Sequence, residues 1–382
     1  MAERVLQFFS TLNNGGAENR MMDVYRNLDH SVVQFDFAVV NEGQHFFDEE
    51  IQEYGAKKYV LPNPRNGLLN NYRAMVHFFK NNPYQAVHAH VSWYSGLVLL
   101  AAKQAGIPIR IAHARDAKEQ KRKLPKEIAC RIGQILISIS ATQKIAISES
   151  AAENIFGKRV AENKEYLFVP NSIDEKKYKV LTSKERENLR SQLGIDEEQL
   201  AIVTVANLRA QKNHKFLFEI IQHLKEKISD FQLFLIGDGP LRKELEYLAK
   251  TLKIDGDVRF LGIRNDVPEI LGAFDLLLFP SLFEGLGGVV LEAQLTGVPS
   301  LVSDRIPPEA DLGIGFVEYM SLNRTADEWA EASIKRSKNN KWSYSVALDA
   351  FKKQGYQIRT TAERYLKEYG IDEETINQAV IN

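Results

Sequence analysis

Glu284 and Glu292 have seven residues between them, among them Leu286-Gly287-Gly288. An apolar run from Leu276 ends at Pro280, a glycine-rich loop follows, and the pattern predicts a helix starting at Gly287 or Gly288. Glu284 then belongs to the loop, and Glu292 lies about 7 Å into the helix at 1.5 Å rise per residue, so the two carboxylates bracket a helix amino terminus. Unpaired N–H groups at such an end attract an anion, and acids on either side accept hydroxyls. The arrangement suits an elongated ligand with a central diphosphate and hydroxyl-bearing groups flanking it. The same residues also fit a capped helix carrying two solvated acids.

A second glycine pair, in Asn13-Asn14-Gly15-Gly16-Ala17-Glu18, follows the apolar run Val5 to Phe9 and precedes an amphipathic segment through Leu28. Glycines at a βα turn let backbone approach a ligand, and the helix start again favours a diphosphate. A ligand-free Gly-Gly turn reads equally well from these residues alone. Neither G-x-G-x-x-G nor G-x-x-x-x-G-K-[ST] occurs, which argues against a dinucleotide oxidoreductase and a phosphate-loop NTPase. His88 and His90 share one strand face, and His113 ends the apolar run from Arg110. Three histidines can in principle hold a metal, but a zinc site needs converging geometry that spacing does not supply, and no metal is expected. Asp255-Gly256-Asp257 resembles a metal-binding D-x-D, yet it precedes a strand as an ordinary turn.

The elements that must position these residues alternate between short β-rich runs and longer segments of helical period, the pattern of βα units on parallel sheets. Val5 to Phe9, Val33 to Val40, Lys58 to Leu61, Ala86 to His90, Arg110 to Ala114, Lys144 to Ile147 and Tyr166 to Val169 read as strands of one sheet. Ala201 to Ala206, Phe231 to Ile236, Val258 to Leu261, Leu276 to Phe279 and Pro299 to Val302 read as strands of another. The 382 residues suffice for two α/β domains, with boundaries expected at 1–173, 174–355 and a C-terminal helix and tail, 356–382, packing back on the first domain. The segment Tyr344 to Tyr369 shows helical spacing up to Gly370. Charges nearly cancel, 49 Lys+Arg against 50 Asp+Glu, which leaves no bulk positive field for nucleic acid. The single cysteine, Cys130, excludes an intramolecular disulfide and fits a reducing cytoplasm. The first residues lack signal-peptide features, and no run reaches the 18 or so apolar residues of a spanning helix.

Taken together the motifs resemble those of family 4 glycosyltransferases. Glu284 and Glu292 match the E-x7-E motif, with Pro280-Ser281 before it and Glu292-Ala293 at its end. Gly15-Gly16-Ala17-Glu18 is similar to the amino-terminal glycine loop, Val169-Pro170-Asn171-Ser172-Ile173-Asp174 to the hinge, and Gln211-Lys212-Asn213-His214 to the phosphate-contact region. Gly237-Asp238-Gly239-Pro240-Leu241, Val258-Arg259-Phe260-Leu261-Gly262 and Gly297-Val298-Pro299 follow in the family's order. The resemblance covers about residues 5 to 370. It implies a GT-B architecture, two Rossmann-like domains with parallel sheets facing an interdomain cleft. It also implies retaining, metal-independent transfer from a nucleotide-sugar donor, with UDP the common nucleotide, and no cofactor. By matching position, Glu284 and the backbone of Leu286, Gly287 and Gly288 contact donor sugar and phosphate, Glu292 holds ribose hydroxyls, and Lys212 neutralises the diphosphate. His113 matches a histidine that orients the transferring sugar.

One departure stands beside Lys212. The family's Gly-Arg-Leu is replaced by Ala206-Asn207-Leu208, with Arg209 two positions later as the substitute donor-binding arginine. The loop Arg264-Asn265-Asp266 supplies a base contact through Arg264, or is an exposed polar turn. Ile306-Pro307-Pro308-Glu309-Ala310-Asp311-Leu312-Gly313 and Gly355-Tyr356-Gln357-Ile358 resemble bacterial capsular and exopolysaccharide transferases, which implies a glycan or lipid-linked acceptor. Lys118, Lys121, Arg122, Lys123 and Lys126 precede an apolar segment, Ile128 to Ile139, a pattern for peripheral contact with an anionic membrane at the inner face of the cell membrane. A solvated helix accounts for the same run. Two other functions share these features: a nucleotide-sugar 2-epimerase of the same architecture, and a non-catalytic sugar-binding or activating subunit.

Overall fold

Val33-Gln34-Phe35-Asp36-Phe37-Ala38-Val39 and Phe231-Gln232-Leu233-Phe234-Leu235-Ile236 are buried at every position, because helices cover both faces of the sheets they belong to. The polar members of such a strand must find partners inside. Asp36 accepts from Arg4 Nε (2.9 Å), from the Lys57 amide (2.7 Å) and from the Tyr84 hydroxyl (2.9 Å). Gln34 donates to the Tyr25 hydroxyl at 2.8 Å. A computed structural model describes residues 2–116, 124–338 and 342–381. Of the basic run, Lys118, Lys121, Arg122 and Lys123 lie outside the described residues.

The chain divides into two compact units, residues 1–173 with 355–382, and residues 174–354. The first contains seven strands: β1 (Glu3–Phe8), β2 (Val33–Val39), β3 (Lys58–Val60), β4 (Ala86–Ala89), β5 (Ile109–Ala114), β6 (Gln143–Ala146) and β7 (Leu167–Phe168). They form one sheet in the order β3-β2-β1-β4-β5-β6-β7, every pair parallel. The second contains β8 (Leu200–Val205), β9 (Phe231–Ile236), β10 (Val258–Gly262), β11 (Leu276–Phe279), β12 (Ser300–Ser303) and β13 (Val317–Met320), in the parallel order β10-β9-β8-β11-β12-β13. In each sheet the strand order reverses once, between β1 and β4 and between β8 and β11. Ligands of open α/β sheets bind outside the carboxyl ends of strands at such a reversal.

Two details differ from the sequence expectation. β13 was not anticipated: Val317-Glu318-Tyr319-Met320 is a short edge strand with no fully buried residue, so it lacks the apolar signature of its neighbours. The helical spacing of 344–369 is interrupted at Gly355, whose φ of 79° ends one helix, Tyr344–Lys353, before another, Ile358–Glu368, begins. The latter helix belongs to the first unit. Its Ile358, Ala362, Tyr365 and Leu366, with Tyr369 just beyond, share a core with Val5, Tyr25, Phe35 and Ile111.

Candidate active site

In the second unit, the loop after β8 and the loop after β11 are stitched together. The Leu282 amide donates to the Gln211 carbonyl (2.8 Å), Gln211 Nε2 to the Phe283 carbonyl (2.8 Å), and Asn213 Nδ2 to the Pro280 carbonyl (3.1 Å). Asn213 adopts a left-handed conformation, φ 57°, that turns the chain into the helix His214–Lys227. These bonds hold Lys212 Nζ 2.6 Å from Glu284 Oε1, with the ammonium 5.0 Å from the centre of the Phe279 ring. Glu284 and Glu292 are both only 7% exposed. The helix Gly288–Leu295 starts from Gly287, where φ is 87° and an added Cβ would lie 3.2 Å from Ile306 Cγ2, so a larger residue is both strained and crowded. At Gly288 an added Cβ meets no described atom within 4 Å. An ammonium, an accessible helix start and two carboxylates thus surround one short stretch of backbone, a set that matches a diphosphate carrying hydroxyl-rich groups at both ends.

Not every expected residue joins this group. The Arg209 side chain is exposed at the start of the turn leading to Lys212. Arg264 forks onto Asp266, donating from Nε at 2.8 Å, and this pairing raises its pKa and lowers that of Asp266. His214, beside Lys212 in sequence, is pushed down to about 4, first by burial and then by the Lys212 charge, and is neutral.

In the first unit the glycine loop is closed by its own chain. Gly16 begins the helix Gly16–Arg26, and a Cβ on Gly15 would lie 2.3 Å from Glu18 Oε2. Burial raises the Glu18 pKa, while hydrogen bonds from its own backbone and Thr11, with the Arg115 charge, oppose the rise. The carboxyl ends of β4 and β5 carry a cluster that the sequence only half revealed. His88, His90 and His113 sit with their ligand atoms within 4.8 Å of one another. Five of their six nitrogens are engaged in hydrogen bonds with one another or with neighbouring side chains. His88 Nε2 is 3.0 Å from His113 Nδ1, His88 Nδ1 is 2.7 Å from the Tyr369 hydroxyl, and His90 Nε2 is 3.0 Å from Gln7 Oε1. Arg115 Nε donates to His90 Nδ1 at 3.2 Å. A direct nitrogen–nitrogen hydrogen bond thus joins His88 to His113, and the cluster forms part of a chain of hydrogen bonds. Burial, with Arg115 adding positive charge, holds the pKa of His88 and His113 well below the ordinary range; burial followed by its charged neighbours does the same for His90. All three are neutral.

Comparison with known proteins agrees with this chemistry. A model described as glycosyl transferases group 1 matches residues 185–355, and one described as a glycosyl transferase 4-like domain matches residues 15–172. The chain is 33% identical over 378 residues to EpsF of Bacillus subtilis, a protein assigned to the glycosyltransferases, covering 97% of both chains. It belongs to glycosyltransferase family 4. The glycosyltransferase is also 25% identical to CapH of Staphylococcus aureus, a capsular polysaccharide biosynthesis glycosyltransferase, over 76% of this chain and 78% of that one. Its structure superposes on that of HepE from Anabaena in complex with UDP, with a TM-score of 0.77 at 18% identity, covering 97% of this chain and 100% of the other. The fold is therefore GT-B.

Proposed function

We propose that this glycosyltransferase moves a hexosyl group from a UDP-sugar to a glycan or lipid-linked acceptor in bacterial surface polysaccharide synthesis, with retention at the anomeric carbon and without a metal. The observation that carries the reading is the Lys212–Glu284 pair beside the accessible helix start at Gly288. As the glycosidic bond to the donor breaks, negative charge grows on the departing diphosphate. Lys212 and the amides of Leu286, Gly287 and Gly288 meet that charge, which is how a leaving group is stabilised where no metal serves. The diphosphate competes with Glu284 for Lys212 and frees the carboxylate to accept a sugar hydroxyl. Glu292, inside the helix, accepts the ribose hydroxyls. Exposed Arg209 adds a second cation to the phosphates, Arg264 supports the base, Gly15 and Gly16 allow backbone to approach the donor, and His113 orients the sugar. The name of CapH and the UDP held by HepE support the pathway and the nucleotide.

A thermal-shift panel of nucleotide sugars, followed by mass detection of transfer in the presence of a chelator, tests the proposal. The anomeric configuration of the product is then read by NMR. Stabilisation by a UDP-sugar and an α-linked product from an α-linked donor are expected; no stabilisation and no turnover across the panel would overturn the enzyme reading. Donor conversion without any acceptor would point to epimerisation, and binding without turnover to a non-catalytic subunit.

The same proposal places the protein in the cytoplasm against the inner face of the membrane. Among the described residues no helix is long and apolar enough to cross a membrane. The helix Leu124–Ser140 instead exposes Leu124, Ile128, Ile132, Ile135 and Ile139, spaced along one side, with exposed Lys126 nearby and the basic run directly preceding it in sequence. An exposed apolar stripe on a helix that follows a basic run in sequence suits shallow insertion into an anionic surface, each cation near that surface contributing about 1 kcal/mol. Sedimentation with vesicles should rise with anionic lipid and fall with salt; indifference to both would remove this contact.

A further inference from the structure

Six polar groups of the first unit are joined in one chain of hydrogen bonds, and its direction follows from its first member. A guanidinium has only donors, so Arg115 Nε donates to His90 Nδ1. The neutral His90 ring then carries its proton on Nε2 and donates it to Gln7 Oε1, 3.0 Å away. That fixes the amide of Gln7, whose Nε2 donates to the Tyr369 hydroxyl at 3.0 Å. Tyr369 accepts there and donates its own proton to His88 Nδ1 at 2.7 Å. His88 is left protonated on Nε2 and donates to His113 Nδ1 at 3.0 Å. The last ring therefore holds its proton on Nε2, an atom that is buried and has no partner among the described residues.

We propose that Arg115, His90, Gln7, Tyr369 and His88 are positioning residues that lock His113 into the Nε2–H tautomer, so that it presents a hydrogen-bond donor, and not a base, to an acceptor oxygen of the sugar. The substrate half of this proposal rests on the reading above that His113 faces the donor sugar. A buried N–H without a partner costs about 1–3 kcal/mol, a cost that a fold tolerates where a ligand supplies the missing acceptor. The polarity also assigns the chemistry. Nε2 already bears a proton and Nδ1 is occupied by His88, so His113 has no lone pair to take a proton from an attacking hydroxyl. It discriminates instead for a sugar oxygen that accepts. Both Tyr369 and Gln7 are silent in any motif: Gln7 lies among the buried Val5, Leu6 and Phe8 of β1 and is 0% exposed, and Tyr369 stands 281 residues from His88.

Long-range proton–nitrogen spectra of the full-length protein with nitrogen-15 histidine, at neutral pH, decide the matter. His88 and His113 are both expected to be protonated on Nε2 with Nδ1 accepting; a proton on Nδ1 of either ring would overturn the proposal, whatever a variant does. Tyr369→Phe keeps the ring and removes the link between Gln7 and His88. It should shift the His88 Nδ1 and His113 Nε2 signals and lower kcat about tenfold with donor KM changed by less than about twofold. Unchanged ring signals with unchanged kcat would overturn it too. His113→Ala with undiminished transfer would sink the sugar contact while leaving the wild-type tautomer result standing, so the two failures are distinguishable.

Discussion

Two glycine pairs stand at helix starts in this protein, and their surroundings make opposite provision for an anion. At Gly15–Gly16 the nearest charge is a carboxylate of the same helix, Glu18, folded over the turn. At Gly287–Gly288 the nearby charges are an ion pair, Lys212 with Glu284, whose cation a phosphate can draw away. Each pair alone signals backbone that can come close to a ligand. What differs is the residue that the neighbouring loop delivers, and in the second unit that delivery depends on the bonds from Gln211 and Asn213 to the loop after β11. A helix start becomes an anion site when a cation is held there by something other than the anion.

The largest test of this contrast is Lys212→Ala. If the cation distinguishes the two loops, its loss should lower kcat by about 10²–10³, the range for removing one preorganised stabiliser of developing charge. Steady-state transfer at saturating donor measures it; unchanged turnover would place the leaving-group charge elsewhere. Glu292→Gln should act on binding instead, raising the donor KM about tenfold for loss of a charge-assisted pair of hydroxyl contacts, with kcat nearly preserved.

The units also differ in how they respond to acid. In the first, His88, His90 and His113 are held neutral by burial and Arg115. In the second, His214 is depressed to about 4 by burial and by the Lys212 charge. Below an unfolded value of about 6.5 the unfolded chain binds protons that the folded units refuse, so stability falls as pH falls. Between about pH 6.5 and 5.5 a histidine that the fold keeps neutral costs about 1 kcal/mol of stability, so the first unit, with more such rings, should lose more than the second. Hydrogen exchange, corrected for intrinsic rate, should show β4 and β5 losing more protection than β8 and β9. Equal losses would mean that the histidine chain is protonated in the folded state.

These contrasts were unequally legible in the sequence. The strands were visible because sheets covered on both faces need continuous apolar runs, and β13 escaped because an edge strand does not. Glu284 and Glu292 share one loop and helix, so spacing alone brought them together. Lys212 lies 72 residues from Glu284, and only the resemblance to a family joined them before the fold did. Gln7 and Tyr369 had no signal at all. A buried hydrogen-bond chain is assembled from residues on separate strands and a terminal helix, and each member by itself looks like an ordinary core polar group. Glu18 was read as part of a motif, but that its carboxylate would close the glycine turn depends on a side-chain direction that no pattern states.

The finest test substitutes the two first helical residues, Gly16 and Gly288. An added Cβ meets no described atom within 4 Å at either, and alanine in a first turn stabilises by about 0.4–1 kcal/mol where the backbone permits it. Neither Gly16→Ala nor Gly288→Ala should therefore lower the melting temperature, and changes in activity report on ligand approach. At Gly288 a methyl group stands where the diphosphate must reach the amides, and the donor KM should rise about tenfold. At Gly16 the Glu18 carboxylate already limits approach to the same backbone, so the rise should be about threefold or less. Equal effects would show that Glu18 swings aside when donor binds. Glu18→Gln would then raise donor affinity, because a like charge beside the diphosphate would have been removed.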